Sequence, residues 1–163
     1  MITIRKATLA DAKQIWQILR VTNSKGNSFP FLAEKDEEEK EMMAYWLAND
    51  KYAYVATEDE IILGTFYLKD NQPGRGAHIA NAGYAVSEKS RGKGIGKLMG
   101  EFSLKEAKQL GYKAMQFNLV VKTNQAAVNS WKSIGFDIIG EIPQAFNHKE
   151  LGFVNAYIMY QKL

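Results

Sequence analysis

The stretch Val86-Ser87-Glu88-Lys89-Ser90-Arg91-Gly92-Lys93-Gly94-Ile95-Gly96 constrains this chain more than any other. It follows an apolar run of strand character and precedes an amphipathic segment of helical period. Glycines at 92, 94 and 96 expose backbone amides where that helix begins. Arg91, Lys93 and Lys97 surround them with positive charge. Bare amides and the helix dipole both favour an anion there, so the segment reads as a phosphate site between a strand and a helix.

Two common phosphate loops fail on spacing. Counting back from Gly96-Lys97, a Walker loop needs Gly where Arg91 stands and Ser or Thr where Leu98 stands. A dinucleotide fingerprint would begin Gly92-x-Gly94 but then needs Gly where Lys97 stands, and it would follow the first strand, not a later one. The spacing present is Arg91-x-x-Gly94-x-Gly96.

With 163 residues, the chain is expected to form one domain over residues 1–163. It has no Cys, which excludes disulfides, a thiol nucleophile and a Cys-built zinc site. His78 and His148 are the only histidines, so no metal site is expected. No apolar run reaches the ~20 residues of a membrane span. The start, Met1-Ile2-Thr3-Ile4-Arg5, reads as a strand and not as a leader, so a cytoplasmic protein without membrane contact is expected. A net charge of +3 gives little reason to expect nucleic acid. Lys89, Arg91, Lys93 and Lys97 are interleaved with Gly, Ser and Ile, with no aromatic to stack bases.

Periodicity orders the elements. Residues 2–5 alternate as a strand, and Thr8-x-x-Asp11 caps a helix carrying Ala12, Ile15, Trp16 and Leu19. Residues 23–30 read as a loop, and the acid-rich run 34–41 as the solvated first half of a helix ending in Met42, Met43, Tyr45, Trp46 and Leu47. Residues 52–57 and 61–68 read as a hairpin, 71–76 as a loop and 78–86 as a strand. Ile95 to Leu110 marks a helix stopped by Gly111, and 115–121 a strand. A helix follows, carrying Ala127, Val128, Trp131 and Ile134 and stopped by Gly135. Strands at 136–142 and 154–160, joined by a Pro-containing connection, close the chain. Early strands should pair antiparallel, and strand–helix–strand over 78–121 implies a parallel pair.

The Arg91-x-x-Gly94-x-Gly96 loop resembles the acetyl-CoA loop of the Gcn5-related N-acetyltransferases (GNAT). The segment Thr123 to Phe136 strengthens the resemblance: after a strand come Asn124, the nearby Ala127, and the aromatic Trp131 four residues before Gly135-Phe136. The strand–helix order agrees from residue 2 onward, so the resemblance covers essentially the whole chain. It implies an α/β (α+β) fold. The expected central sheet is mixed and mostly antiparallel, with a splayed parallel strand pair, flanked by about four helices. It implies that acetyl-CoA is bound as co-substrate, with its pantetheine arm against the backbone at Ala85 and Val86. Its pyrophosphate would lie on the amides of Arg91, Gly92, Lys93, Gly94, Ile95 and Gly96, with Asn124, Ala127 and Trp131 beside the arm and the thioester.

Many members of the family carry Tyr where Trp131 stands, proposed to protonate the leaving thiolate. An indole N–H is not acidic enough for that. A thiolate of pKa ~8.5 is already a fair leaving group, and Tyr84 and Tyr157 are the hydroxyls to consider as a replacement acid. A narrower resemblance joins His78-Ile79-Ala80-Asn81-Ala82-Gly83-Tyr84 and Gln116-Phe117-Asn118-Leu119-Val120 to fungal-type acetyltransferases of L-azetidine-2-carboxylate and related proline analogues. There, Asn residues on the two splayed strands contact the substrate or position the reacting groups, which singles out Asn81 and Asn118. Asn is disfavoured within strands, and a buried amide must find partners. The resulting expectation is an N-acetyltransferase acting on the amine of a small molecule, an amino acid or proline analogue first, by direct transfer in a ternary complex. Acetylation of protein N-termini or lysines, and acyl-CoA binding without catalysis, stay open. So do the acceptor itself, the general base, the range of acyl groups and a homodimeric state.

Overall fold

In the computed structural model, which describes residues 1–163, the alternating start forms β1 (Thr3–Lys6). After a single 3-10 turn comes α1 (Ala12–Lys25). Asp11 holds this corner: its carboxylate takes the Thr8 N–H at 2.7 Å and two guanidinium contacts from Arg5 at 2.8 and 2.7 Å. The Arg5 hydrogen bonds hold its pKa down at about 2. α1 buries Ile15, Trp16, Ile18 and Leu19. It runs three residues, to Lys25, into the expected loop because Asn23 finds a partner there: its Nδ2 donates to the Ala33 carbonyl at 2.8 Å. Gly26, at φ 57°, then ends the helix. The acidic run stays largely in solvent but is helical only from Asp36, as a 3-10 turn over Asp36–Glu38 that passes into α2 (Glu39–Trp46), which buries Met42, Met43 and Trp46.

One sheet of seven strands follows the order β1-β2-β3-β4-β5-β7-β6. Its further strands are β2 (Tyr52–Glu58), β3 (Ile61–Asp70), β4 (Ile79–Val86), β5 (Ala114–Val121), β6 (Asp137–His148) and β7 (Gly152–Lys162). Every neighbouring pair is antiparallel except β4–β5. α3 (Ile95–Gln109) links that parallel pair, and α4 (Gln125–Ser133) leads to β6. The closing hairpin differs from the expectation. β6 does not stop at Ile142 but continues through Pro143 to His148, and the turn falls at 149–151. Pro is tolerated because β6 is an edge strand and its register with β7 breaks between Ile142 and Phe146, where Gln144 takes φ 50°.

The sheet separates two apolar layers. On one face Phe66, Leu68, Ile95, Met99, Met115 and Phe117 pack under α3 and α4. On the other Ile15, Leu19, Met43, Trp46, Val55 and Tyr67 pack under α1 and α2. No helix is long and apolar enough to cross a membrane.

Two strand irregularities position the site. β4 and β5 pair only at Ile79↔Ala114 and Ala80↔Met115, so beyond Ala80 the strands diverge and leave a gap. β5 carries one residue more than β7 between Phe117 and Val120, a bulge that contains Asn118 and Leu119.

Candidate active site

The gap between β4 and β5 opens into two adjoining cavities, one on each side of Trp131. The larger, about 790 Å³, reaches the N-terminus of α3. Gly92 and Gly94 adopt φ 75° and 78°, a left-handed conformation that branched side chains resist. The first intrahelical bond is Leu98 N–H to the Gly94 carbonyl at 3.0 Å. The amides of Gly92, Gly94, Ile95, Gly96 and Lys97 donate to no other backbone carbonyl. A methyl group added at Gly92 or Gly94 would meet nothing within 4 Å, and one at Gly96 only Val86 Cγ2 at 3.7 Å. The cradle is thus preformed, unfilled by side chains and rich in free donors, which is what a pyrophosphate requires. Arg91 and Lys97 line it, whereas Lys93 is not among its lining residues, and the Arg91 and Lys93 amides are already taken by the Glu88 and Ser90 carbonyls at 3.3 and 3.4 Å. Lys25 anchors the loop through an ion pair of 2.6 Å to Glu88.

The alternation of β4 assigns its backbone groups. The Ile79 carbonyl takes the Asn71 N–H, and the Ser87 N–H reaches Leu63, so odd-numbered residues bond toward β3. The His78 carbonyl takes the Lys113 N–H on the opposite side. Even-numbered residues therefore turn their backbone groups into the gap. Val86 is so placed, together with Tyr84. Ala85 lines the cavity through its side chain, while its carbonyl faces Gly64 of β3, 3.1 Å from where a Cβ would stand. The strand backbone available to a ligand is hence that of Tyr84 and Val86, not the pair Ala85 and Val86.

The smaller cavity, about 340 Å³, lies on the α1/α2 face of the sheet. The residues 28–31 roof it, held by ring contacts of Phe29 with Trp46 at 5.9 Å and of Phe31 with Tyr45 at 5.2 Å. Its floor holds both predicted amides. Asn81 Oδ1 accepts the Ala82 N–H at 2.7 Å, which leaves the amide NH₂ as the free end. Asn118 Nδ2 donates to Asn71 Oδ1 at 2.7 Å, and its Oδ1 accepts from Gln116 at 2.9 Å. The bulge in β5 turns Asn118 into this relay. Gly83 lacks a side chain because the Tyr67 ring lies over it; a Cβ would come within 2.9 Å of that ring.

Tyr84, Asn124, Ala127 and Trp131 line both cavities and so mark their junction. Asn124 caps α4, its side chain accepting from the Ala127 N–H at 3.3 Å. Trp131 stands between Tyr84 and Phe117, at ring distances of 4.7 and 4.9 Å. Tyr84 has the opposite parity to Asn81 and points to the α3 face. Its hydroxyl lies 2.6 Å from Ser103 Oγ, which itself donates to the Gly100 carbonyl at 2.7 Å. Burial raises the Tyr84 pKa above that of a free phenol. Both effects keep its proton away from a leaving thiolate. Tyr84→Phe should keep turnover within a few-fold of wild type and cost about 1 kcal/mol of stability; loss of the high-pH limb of the rate profile together with collapsed turnover would instead make Tyr84 the acid. Tyr157 and His78 line neither cavity.

Sequence reading missed Tyr67, Lys69 and Asn71, which share a strand parity and bring Tyr67 and Lys69 to the smaller cavity. A period of two continued past Leu68 would have found them, but Asn71 begins a polar stretch that reads as loop. It also missed Phe29, Phe31 and Tyr45, whose joint role depends on tertiary packing.

A splayed parallel strand pair, a bare amide cradle after the first of the two strands and an Asn-capped helix after the second define an acyl-CoA-binding acetyltransferase architecture. Residues 13–136 match the family described as Acetyltransferase (GNAT) family. A GCN5-related N-acetyltransferase from Kribbella flavida superposes with a TM-score of 0.93 at 32% identity, over 99% of this chain and 98% of that one. The chain belongs to the GNAT acetyltransferase family. The N-acetyltransferase aca1 of Schizosaccharomyces pombe is 42% identical over 98 residues, 60% of this chain and 47% of aca1, so the match spans about half of that relative's length. The phosphinothricin acetyltransferase of Sinorhizobium meliloti, solved in complex with AcCoA, shares the fold at a TM-score of 0.86 and 21% identity, over 99% of this chain and 88% of that one.

Proposed function

We propose that this protein transfers acetyl from acetyl-CoA to the amine of a small molecule, with a free amino acid or proline analogue as first candidate. One observation carries the reading: a cavity that begins at the free amides of α3 meets, at Trp131 and Asn124, a second cavity of only about 340 Å³. That volume lies at the small end of ligand sites. In the reaction the amine nitrogen attacks the thioester carbonyl, the N–C bond forms, the C–S bond breaks and the thiolate leaves. No histidine or carboxylate lines the smaller cavity, so the amine proton passes to ordered water. Backbone N–H groups of the gap, Tyr84 or Val86, are oriented for the developing oxyanion. Holding both reactants in line supplies much of the rate. The cytoplasm is the compartment this reading implies.

The test is a panel of amines, amino acids and short peptides, followed by CoA release. Turnover with amino-acid-type amines is expected; turnover with peptides alone, or CoA binding without transfer to any amine, overturns the reading. Within it, Asn81→Ala and Asn118→Ala should lower kcat/KM for the acceptor roughly 10- to 100-fold, the effect of losing one buried hydrogen bond that holds or positions the acceptor. Acetyl-CoA affinity should stay at wild type. Unchanged kcat/KM in both variants would reduce these amides to structural links between strands.

A further inference from the structure

Resting on that reading of the smaller cavity, we infer that Lys69 fixes the carboxylate of the acceptor, so that the enzyme selects amines carrying their own negative charge. Lys69 is the one charged residue in the cavity lining. No carboxylate lines the cavity, and Lys69 makes no ion pair within the chain. A partly buried lysine that lines an otherwise apolar and neutral cavity leaves its charge without a counter-ion, and an anionic group on the ligand would supply one.

The strand register supplies a second donor. Lys69 on β3 stands directly opposite Asn81 on β4, so both side chains rise from the same face at neighbouring positions. Asn81 has committed its oxygen to the Ala82 N–H, and its NH₂ remains to donate. One ammonium and one amide NH₂ with no acidic neighbour form a receptor for a carboxylate. The same inventory opposes a polyamine or other polycationic acceptor, which would bring its charge toward Lys69 without finding an acid. The aromatic pair does not invite a second cation either, because Lys51 Nζ already lies 4.0 Å from the centre of the Tyr45 ring.

The experiment compares L-proline, L-azetidine-2-carboxylate and L-alanine, each beside its carboxamide, on wild type, Lys69→Met and Lys69→Arg. Acetyl transfer is followed by CoA release, and binding by the thermal shift that each compound adds to the CoA-saturated protein. Wild type should prefer acid to amide at least tenfold in kcat/KM. Lys69→Met should raise the KM of the acids roughly 10- to 100-fold, as loss of a charged hydrogen bond does. The amides should change less than threefold, acetyl-CoA affinity should be constant, and Lys69→Arg should restore most of the preference. Equal use of acid and amide by wild type, or equal loss on both in Lys69→Met, overturns the assignment. Acids that bind in a Lys69-dependent way without being acetylated would leave the carboxylate site standing and overturn the acetyl-transfer reading. Acids that neither bind nor react would overturn the site.

Discussion

Gly94→Val should abolish acetyl-CoA binding in a protein that still folds. Gly94 sits at φ 78°, where a β-branched residue is strained. Relief of that strain rotates the peptides on either side, and those peptides carry the free amides of the cradle. The variant therefore loses donors as well as space. Gly96 separates the two effects. A Cβ there makes an ordinary 3.7 Å contact with Val86, so Gly96→Ala should leave the thermal midpoint unchanged or slightly raised. It should still weaken acetyl-CoA roughly tenfold or more, because the methyl stands where a phosphate must approach the amides. Calorimetric titration with acetyl-CoA, beside circular dichroism of each variant, reads both quantities. Wild-type affinity in folded Gly94→Val would remove the cradle from cofactor binding.

The cradle was legible in the sequence because each of its requirements is local. Glycines at fixed spacing, a preceding apolar run and a following helical period are all properties of one short stretch. Strand existence and order were legible for the same reason, since period two needs no knowledge of neighbours. Asn124 is singled out by the resemblance alone, and its cap on α4 emerges only with the fold.

Readings failed where a polar residue finds its partner far along the chain. Asn23 reads as loop until the Ala33 carbonyl is seen to hold it within α1. Pro143 reads as a break until the bulged edge pairing of β6 is known. Lys69 goes unmarked in the sequence, because nothing nearby says that Asn81 stands opposite it. Tyr84 is an acid candidate by type and proximity in sequence, whereas parity on β4 turns its hydroxyl to Ser103. A hydroxyl's presence near a site is a sequence property, whereas its direction is not.

Trp131→Ala should be the most damaging single change at the junction, through shape and not through proton transfer. The indole packs on Tyr84, Phe117 and Phe136, with ring distances of 4.7, 4.9 and 6.2 Å, and separates the two cavities. Gly100 on α3 accommodates it: a Cβ at Gly100 would come within 3.0 Å of the ring. Truncation removes the wall between the cavities and leaves a void where the thioester is expected. Stability should fall by about 3 kcal/mol, toward the low end for Trp to Ala because the ring is only half buried. Acetyl transfer should fall roughly 100-fold, the scale on which a reacting group loses its alignment. Propionyl- or butyryl-CoA should lose less, since their longer chains fill part of the void. Trp131→Phe keeps an aromatic wall and lacks only the N–H, so it should retain most of the activity and most of the preference for acetyl. Turnover with acetyl-, propionyl- and butyryl-CoA on wild type and both variants decides the matter. Collapse of Trp131→Phe to the level of Trp131→Ala would mean that the indole N–H itself takes part in the reaction. That outcome would displace the view that the thiolate leaves unprotonated and is quenched by water.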